Sequence, residues 1–540
     1  MIVLGINGGV RLGYQDVSAS LLKDGKVLVA IEEERLNRIK FSPGQLSELS
    51  VYKCLEYSGL TIRDVDVVAC HGSTWGTVFE NILRSYFTDN FGYCPELYFV
   101  HHHTAHAASA YYGSGFDEAL IITMDASGDG VSTQVCTGKN GKIEIIERFS
   151  RPNSLGIFYS IITQFCGFRR DSDEYKLMGM AAYGNKHAYD FSNILDYRNG
   201  QLFFNEEFLK PIKPGESQPT RQEKAYSKKL TEMLGKARLR NEEITQKYYD
   251  IAASAQYQFE KVILAMVEDF HKRTGLRKIC LAGGVALNCL VNQKIMNLDF
   301  IDEIYVQPAT GDSGISLGAA MYASVQKGYI PEPIETALLG PDFTNEQIKS
   351  VLDENLIKYK YIDDPAEVAA ELISQNKVIG WFQGRIEFGP RALGARSILA
   401  NPAMPDVKNI LNKKIKFREP FRPFCPSVTE EDSREYFVGK AEKAPFMNIT
   451  FDTTQKAKDF TPGIVHADGT SRIQTVNKEL QPLYHSLLCK LKEKTGHPVV
   501  VNTSFNTNNE PIVFSPADAV ATFYRSGLEA LVIGNYLIEK

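Results

Sequence analysis

The sequence predicts an α/β protein in which a duplicated domain of mainly parallel sheets, covered by helices, precedes a second α/β domain. Three observations point there. Short apolar runs alternate with longer amphipathic stretches through the first part of the chain. A strand–glycine turn–helix theme recurs near residues 7, 128, 283 and 313. The 540 residues also exceed what one hydrophobic core holds, since cores stop growing at about 250–300 residues.

Composition narrows the class. With 44% hydrophobic and 23% charged residues the balance is that of an ordinary globular protein. A net charge of −5 offers no basic excess for nucleic acid. Nine cysteines are scattered without a CxxC pair, which argues for reduced thiols in a cytoplasm and against a disulfide framework or a zinc knot. The opening MIVLGINGG has no basic n-region, and no apolar run nears the about 18–20 residues of a membrane span. Neither a signal peptide nor a membrane partner is expected.

The apolar run 2–6 ends in Asn7-Gly8-Gly9. Runs 17–22 and 26–32 read as strands joined by Lys23-Asp24-Gly25, a hairpin signal. A strand, a glycine turn and a β-meander are how actin-like ATPases open, the first turn approaching nucleotide phosphates. Residues 32–41, EEERLNRIKF, are dense in both signs. They read either as a solvated surface turn or as a site lining through Arg35, Arg38 and Lys40. Residues 46–59 read as a helix stopped by Gly59, and 66–71 as a buried strand.

Residues 99–112, FVHHHTAHAASAYY, hold four of the ten histidines. Alanine favours a helix over 104–112. His102 and His106, or His103 and His106, then share one face, and two imidazoles one turn apart can chelate a divalent cation. A carboxylate would complete such a site. Asp125 follows in ALIITMDASGDG, where a strand over 120–124 ends and a glycine-rich turn begins. The alternative is that the histidines are core or supporting groups; their density, followed by strand, Asp and Gly, favours metal or catalysis.

Residues 154–168 read as an apolar core helix leading into RRDSDEYKLMGMAAYG, a polar loop entering a helix. Composition alone leaves open whether Glu174 and Lys176 have a site role. The polar stretch 210–241 reads as a mobile surface excursion over a site or as a solvated helix pair. A long amphipathic helix spans 245–274. The strand 278–281 meets Gly283-Gly284, and a helix opens near Ala286-Leu287-Asn288. A glycine pair there lets backbone N–H groups approach a phosphate or ribose. The strand 303–306 empties into QPATGDSGISLGAA, where Asp312 lies between Gly311 and Gly314 at a helix start. That terminus can receive anions while Asp312 ligates a cation.

Residues 331–355 look like a linker, and a second region starts near 366. The strand 378–381 delivers GRIEFGPRALGARSILANP, with Arg385, Arg391 and Arg396 among glycines. NKKIKFREPFRPFCPSV then adds Lys413, Lys414, Lys416, Arg418 and Arg422. Cations interleaved with Gly, Pro and Phe cannot form a plain amphipathic face, and such groups are the usual holders of phosphate and carboxylate oxygens. A small anionic ligand is expected there rather than a polynucleotide. Near the end, the strand 499–501 opens into Asn502-Thr503-Ser504, which either donate to an oxyanion or cap a turn.

Taken in order, HHTAHAASAYY, MDASGDG, EYKLMGMAAYG, LAGGVALN, ATGDSGISLGAA, GPRALGARSILANP, KFREPFRPFCPSV and VVNTSFN span most of the chain. In this series the sequence resembles the O-carbamoyltransferase family, which includes the nodulation carbamoyltransferase and enzymes of antibiotic biosynthesis that carbamoylate aminoglycosides, aminocoumarins and cephems. The resemblance implies a duplicated actin/Hsp70-like ATPase domain over residues 1–345, similar to the tRNA-threonylcarbamoyltransferase catalytic fold, and a YrdC-like α/β domain over 346–540. The second domain would make carbamoyl adenylate from carbamoyl phosphate and ATP. The first would pass the carbamoyl group to a hydroxyl of a small natural product or glycan. A cytoplasmic enzyme is implied, with no nucleic-acid or membrane partner and with a homodimer among the assemblies expected.

By matching motif positions, the resemblance implies His102, His106, Asp125 and Asp312 as ligands of a divalent metal, Fe2+ ahead of Zn2+ or Mn2+, with Mg2+ accompanying ATP. It implies Gly283, Gly284, Asn288, Gly311 and Gly314 around a nucleotide. It implies Arg391, Lys416, Arg422 and Ser504 around carbamoyl phosphate, with Arg418 and Asn502 beside them. One departure matters. The family's H-D-x-S-A pattern near the N-terminus reads GYQDVSA here, with Gln15 before Asp16, and glutamine cannot act as a general base. Three readings stand: Asp16 or His103 takes the acceptor's proton, Gln15 is not the natural residue, or Gln15 only orients the acceptor. Asp16 is the favoured base. The competing functions are carbamoylation of a macromolecule, either tRNA or a maturation protein, and a non-enzymatic actin-like ATP switch. The net negative charge argues against tRNA, the lack of CxxC motifs against a maturation enzyme, and the 385–422 cation cluster is left unexplained by a switch.

Overall fold

One sheet topology is used twice in this computed structural model, which describes residues 1–9, 16–211 and 223–540. Strands β1 (Ile2–Asn7), β2 (Ser18–Lys23), β3 (Lys26–Glu32), β4 (Val67–His71) and β5 (Glu96–Val100) form a sheet of order β3-β2-β1-β4-β5. Strands β6 (Glu118–Gly128), β7 (Val131–Lys139) and β8 (Lys142–Ser150) follow, then a separate hairpin of β9 (Leu195–Arg198) and β10 (Gln201–Phe204). With β11 (Lys278–Ala282) and β12 (Glu303–Val306), β6–β8 make a second sheet of order β12-β11-β6-β7-β8. This is the first order read from the opposite edge. In each sheet the first three strands pair antiparallel and the last two join parallel. The duplication is that of the actin/Hsp70-like fold.

The sheets are therefore mixed, not mainly parallel. Two-residue turns dictate antiparallel neighbours, whereas helical crossovers permit parallel ones. Asp24-Gly25, Asp129-Gly130 and Asn140-Gly141 supply the turns, with φ from 49° to 88°, as type I′ hairpins require. Near residue 128 the glycine turn accordingly leads into a strand, not into the helix expected there.

The chain forms two compact units, Met1–Val100 with Asp312–Lys540, and His101–Gly311. In the first, the helix Ser313–Gln326 packs on β1, β2 and β4. Gly5 permits this, because a Cβ there would lie 1.8 Å from the Ser316 carbonyl oxygen. Ser18 Oγ donates to Ser313 O at 2.7 Å. The other face carries the helices Glu48–Ser58, stopped by Gly59 in the left-handed region, and Gly76–Phe91. Between them and the strands Leu21, Val29, Ile31, Val68 and Leu83 are fully buried, each contributing about 1.5–3 kcal/mol.

In the second unit the helix His102–Ser114 packs on β6, β7 and β11, and the helices Leu155–Phe165 and Gln246–Thr274 also meet β6. The first of these starts two residues earlier than alanine content suggests, because the His101 ring caps it by accepting from His103 N–H at 3.3 Å. Of the polar stretch 210–241, the described part includes the helix Lys228–Leu234, and residues 212–222 lie outside the described residues.

The C-terminal sheet belongs to the first unit. Its members are β13 (Lys360–Tyr361), β14 (Ile379–Phe382), β15 (Arg396–Ala400), β16 (Cys425–Thr429), β20 (Gln474–Val476), β21 (Val499–Ser504), β22 (Ala530–Ile533) and β23 (Tyr536–Glu539). A small sheet of β17 (Phe437–Val438), β18 (Thr450–Thr453) and β19 (Thr470–Arg472) lies in the same region. The helices Pro365–Ser374 and Pro482–Thr495 bury Ile373, Trp381 and Leu487 with it. Asn502, Thr503 and Ser504 are not a turn. They continue β21, where Asn502 pairs with Leu399 and Cys425 in register and Ser504 with Ser397.

The segment 32–41 is no solvated turn. Glu33 accepts from the N–H groups of Leu49 and Ser50 at 2.9 and 2.7 Å, and Glu34 from that of Phe41 at 2.7 Å. Arg35, 1% exposed, pairs with Glu34 at 2.6 Å and donates to Gly389 O at 2.8 Å. Arg38 donates to Pro511 O and Ile512 O at 2.9 and 2.6 Å. Arg385 reaches back to Leu28 O and Gly340 O, both at 2.8 Å. Within the first unit these guanidinium groups tie the first sheet to the C-terminal one by satisfying backbone carbonyls. All nine cysteines are free thiols. Among the described residues no helix is long and apolar enough to cross a membrane.

Candidate active site

In the second unit β6 runs on through Asp125 to Gly128, and its pairing with β7 is irregular between Met124 and Gly128. Asp125 sits in that irregularity, not at a strand end. Its Oδ2 lies 3.4 Å from His102 Nε2 and 3.3 Å from His106 Nε2. Those separations exceed a strong charge-assisted hydrogen bond, about 2.7–2.9 Å, and match ligands gathered around one ion. The donor atoms of His102, His106 and Asp125 lie within 4.8 Å of one another, so two imidazoles and a carboxylate fit a divalent metal. Burial pushes the Asp125 carboxyl up, but the two imidazoles outweigh it and hold the group well below the usual carboxylate range.

The surroundings fix this geometry. Ala126 N–H donates to Asp125 Oδ1 at 2.7 Å, and Ser154 Oγ contacts Asp125 O and Ala126 O at 3.1 and 2.8 Å. His102 N–H donates to Asp129 Oδ2 at 2.9 Å. A Cβ on Gly128 would fall 2.0 Å from His102 Cδ2. Gly128→Ala should therefore displace His102, lower the thermal unfolding midpoint by the equivalent of about 1–3 kcal/mol and reduce bound metal. Parallel melting curves and metal analysis check it. Ser154 and Gly128 escaped the reading of the sequence; DASGDG carried the only hint of the second.

His103 is placed differently. It is fully buried, with Nε2 3.0 Å from Val131 O and Nδ1 2.8 Å from Thr123 Oγ1. Burial first, then the charges of His102 and His106, push its pKa well below 6.5. A carbonyl can only accept, so Nε2 carries the proton and Nδ1 takes the threonine's. Both nitrogens are engaged, and the proton-acceptor role considered for His103 has no open lone pair in this arrangement. Asp16 lies in the first unit with φ 57° and donates its N–H to Phe41 O at 2.9 Å. Gln15 lies outside the described residues.

The glycine platform also forms in the second unit. Gly283, at φ 89°, leaves no room for a Cβ, which would sit 2.2 Å from Met124 O. Its N–H donates to Thr310 O at 2.9 Å, joining the two loops. A Cβ on Gly284 would stand 3.4 Å from Asp125 Oδ1, so this turn borders the carboxylate. Asn288 caps the helix Cys289–Met296 by accepting from Val291 N–H at 3.2 Å, and its amide pairs with Gln256 at 2.9 and 3.1 Å. The unit ends at Gly311. Asp312 is the N-cap residue of the helix Ser313–Gln326, which contains Gly314.

In the C-terminal sheet the cations divide into two groups. Arg396 is fully buried, stacks 3.6 Å over Phe382 and donates to Gln383 O and Gly384 O at 2.9 and 3.0 Å, so with Arg385 it serves the fold. Lys416, 3% exposed, binds Ser504 O, Ser504 Oγ at 3.2 Å, and Asn506 O and Oδ1 at 3.0 and 2.8 Å. Burial, then Arg418 and Arg422, push its ammonium well below the usual lysine range. Arg418 donates to Asn412 Oδ1 at 2.7 Å and lies 4.4 Å over Phe424, and Arg422 stands 3.7 Å from Glu419. Lys416, Arg418, Arg422 and Ser504 thus come together. Asn502 is buried, donating to Ser427 Oγ at 3.0 Å and Gln474 Oε1 at 3.1 Å. Arg391 acts electrostatically on Cys425. Burial raises that thiol, but Arg472, with Nε 3.2 Å from Sγ, His466 and Arg391 bring it down to about 6.

Glu174 also has a definite environment. Its Oε1 lies 2.8 Å from Ser160 Oγ, which is also 3.0 Å from Asp171 Oδ1. One hydroxyl proton cannot serve two carboxylates. Burial, then Asp171, raise Glu174 from 4.5 to about 7. Between those values the folded protein holds a proton that the unfolded chain has lost, so stability falls as pH rises through this window. Glu174→Gln should flatten that slope by on the order of 1 kcal/mol per pH unit, measured by denaturation across pH, at the cost of one of the backbone N–H bonds that the carboxyl accepts from Asp171 and Ser172.

Residues 77–321 match the family described as Carbamoyltransferase N-terminus and residues 370–540 that described as Carbamoyltransferase C-terminus. The nodulation protein NolNO of Sinorhizobium fredii is 35% identical over 100% of this chain and 83% of its own length. The nodulation protein NolO of Bradyrhizobium diazoefficiens is 37% identical over 82% of this chain and 79% of its own. Among solved structures, full-length HypF in the phosphate- and nucleotide-bound form is similar at 16% identity over 61% of this chain and 56% of that one, with a TM-score of 0.35.

Proposed function

Because the chain belongs to the carbamoyltransferase family and is thus a transferase, we propose that it is an ATP-dependent O-carbamoyltransferase acting on a hydroxyl of a small natural product or glycan. Carbamoyl phosphate, ATP and water give carbamoyl adenylate, pyrophosphate and phosphate. The acceptor hydroxyl then attacks the carbamoyl carbon, AMP leaves, and the hydroxyl proton passes to a base, for which Asp16 is the candidate. Carbamate is a poor electrophile, and AMP is the leaving group that makes the transfer feasible.

The observation that carries this reading is the buried Lys416 ammonium held at Ser504 with Arg418 and Arg422 beside it. Burial and the two guanidinium groups disfavour the Lys416 charge, and an oxyanion or phosphate bound there would offset both. His102, His106 and Asp125 would hold a divalent metal. When bound, that ion would neutralise phosphate oxygens during transfer. The Gly283-Gly284 turn would receive the nucleotide.

Labelled pyrophosphate should exchange into ATP only when carbamoyl phosphate is present. Absence of such exchange overturns the reading. Mass spectrometry of candidate alcohols incubated with both substrates then finds the acceptor by its gain of one carbamoyl group.

A further inference from the structure

We propose that Glu431, His485 and Cys489 form a second divalent-metal site, in the C-terminal region, of the kind that zinc occupies. Their donor atoms lie within 4.8 Å of one another. His485 Nε2 is hydrogen-bonded to Glu431 Oε1 at 2.7 Å, a pairing that an ion would replace, and Cys489 Sγ, 3.6 Å from the other ring nitrogen Nδ1, would turn toward the same ion. His485 and Cys489 are one turn apart on the helix Pro482–Thr495 and so share a face. Glu431 comes from the turn that follows β16.

The chemistry selects the ion. Thiolate, imidazole and carboxylate together suit Zn2+ and the metals that substitute for it, whereas Mg2+ and Ca2+ require oxygen ligands. The neighbouring carboxylates already have their own cations: Glu430 pairs with Lys443 at 2.9 Å and Asp432 with Lys492 at 2.7 Å. Glu431 instead faces His485. The His485 side chain is 8% exposed while that of Glu431 is 57% exposed, which gives an ion a solvent entrance to a buried ligand. On binding, the Cys489 thiol proton leaves to solvent, the proton that Nε2 shares with Glu431 moves to Nδ1, sulfur, Nε2 and a carboxylate oxygen bond the metal, and no electron moves. Water fills the remaining position. The ion would clip the helix to the end of β16, the strand that opens at Cys425.

The site is separable from the histidine cluster because only this one contains sulfur. Full-length protein titrated with Co2+ should develop a saturable thiolate-to-Co2+ charge-transfer absorption that is displaced by Zn2+, Co2+ taken up by the histidine cluster adding none of it. The band should vanish in Cys489→Ser and in His485→Ala, weaken in Glu431→Gln, and persist in His106→Ala. Zn2+ should raise the thermal unfolding midpoint more in the parent than in Cys489→Ser, because the histidine cluster is present in both. If buried His485 does not tolerate alanine, Cys489→Ser and Glu431→Gln, at less buried positions, carry the test. No charge-transfer band in the parent, or an undiminished band in Cys489→Ser, overturns the proposal and leaves the carbamoyl-transfer reading unaffected.

Discussion

Arg422→Ala is expected to lower carbamoyl-phosphate-dependent pyrophosphate exchange by on the order of 10²–10³-fold while metal content stays at the parent level. The guanidinium lies in the charge field of Lys416, whose ammonium is anchored by Ser504 and Asn506 and so cannot swing over to replace it. The Arg422 side chain is 17% exposed and stands 3.7 Å from Glu419, so its loss opens a space that water can fill and the fold should survive. Lysine at 422 should recover only part of the activity, because an ammonium cannot offer the two parallel donors of a guanidinium. Loss of exchange with loss of cooperative melting would mean that Arg422 serves the fold alone. Retained exchange would remove it from the anion site.

His106→Ala is expected to do the reverse: bound metal falls to background, transfer to an acceptor falls at least 10²-fold, and exchange continues. His106 is 1% exposed, and its Nε2 shares Asp125 Oδ2 with His102. Removing one imidazole leaves a two-ligand set that cannot hold a divalent ion against water. The substitution also takes away a group that keeps Asp125 ionised in a buried setting, so the carboxyl should take up a proton at a higher pH than in the parent. Metal analysis, the exchange assay and product mass spectrometry on one preparation separate these outcomes. Equal loss of both half-reactions in each variant would refute the division of labour between the two clusters.

Much of this was legible in the residues. Asp24-Gly25 and Gly59 act through backbone conformations that few other residues adopt, so a turn and a helix stop could be placed from composition alone. The His102/His106 spacing was equally direct, since one helical turn separates the rings whatever surrounds them. What stayed hidden depends on partners distant in sequence. Whether an arginine in a glycine-rich loop faces a ligand or its own backbone is not written locally: Arg391 and Arg396 look alike, yet Arg396 is buried and turns Nη1 to Gln383 O and Gly384 O. The charge of the EEER segment left a solvated turn and a site lining equally open. Its burial rests on the N–H groups of Leu49 and Ser50 and the carbonyl of Gly389. Asn502 extends its strand because Leu399 and Cys425 flank it, which no local propensity reports.

β5 and β12 are each followed immediately by a helix assigned to the other unit, His102–Ser114 and Ser313–Gln326. When residues 1–311 have left the ribosome, the first sheet still lacks the helix that Gly5 makes room for and Ser18 bonds. Until residues 313–326 emerge, one face of β1 has only water or a chaperone to cover it, and its closure waits on a contact separated by most of the synthesis time. Chains truncated ahead of that helix should aggregate as they are made, and slowing translation there should lengthen the exposure.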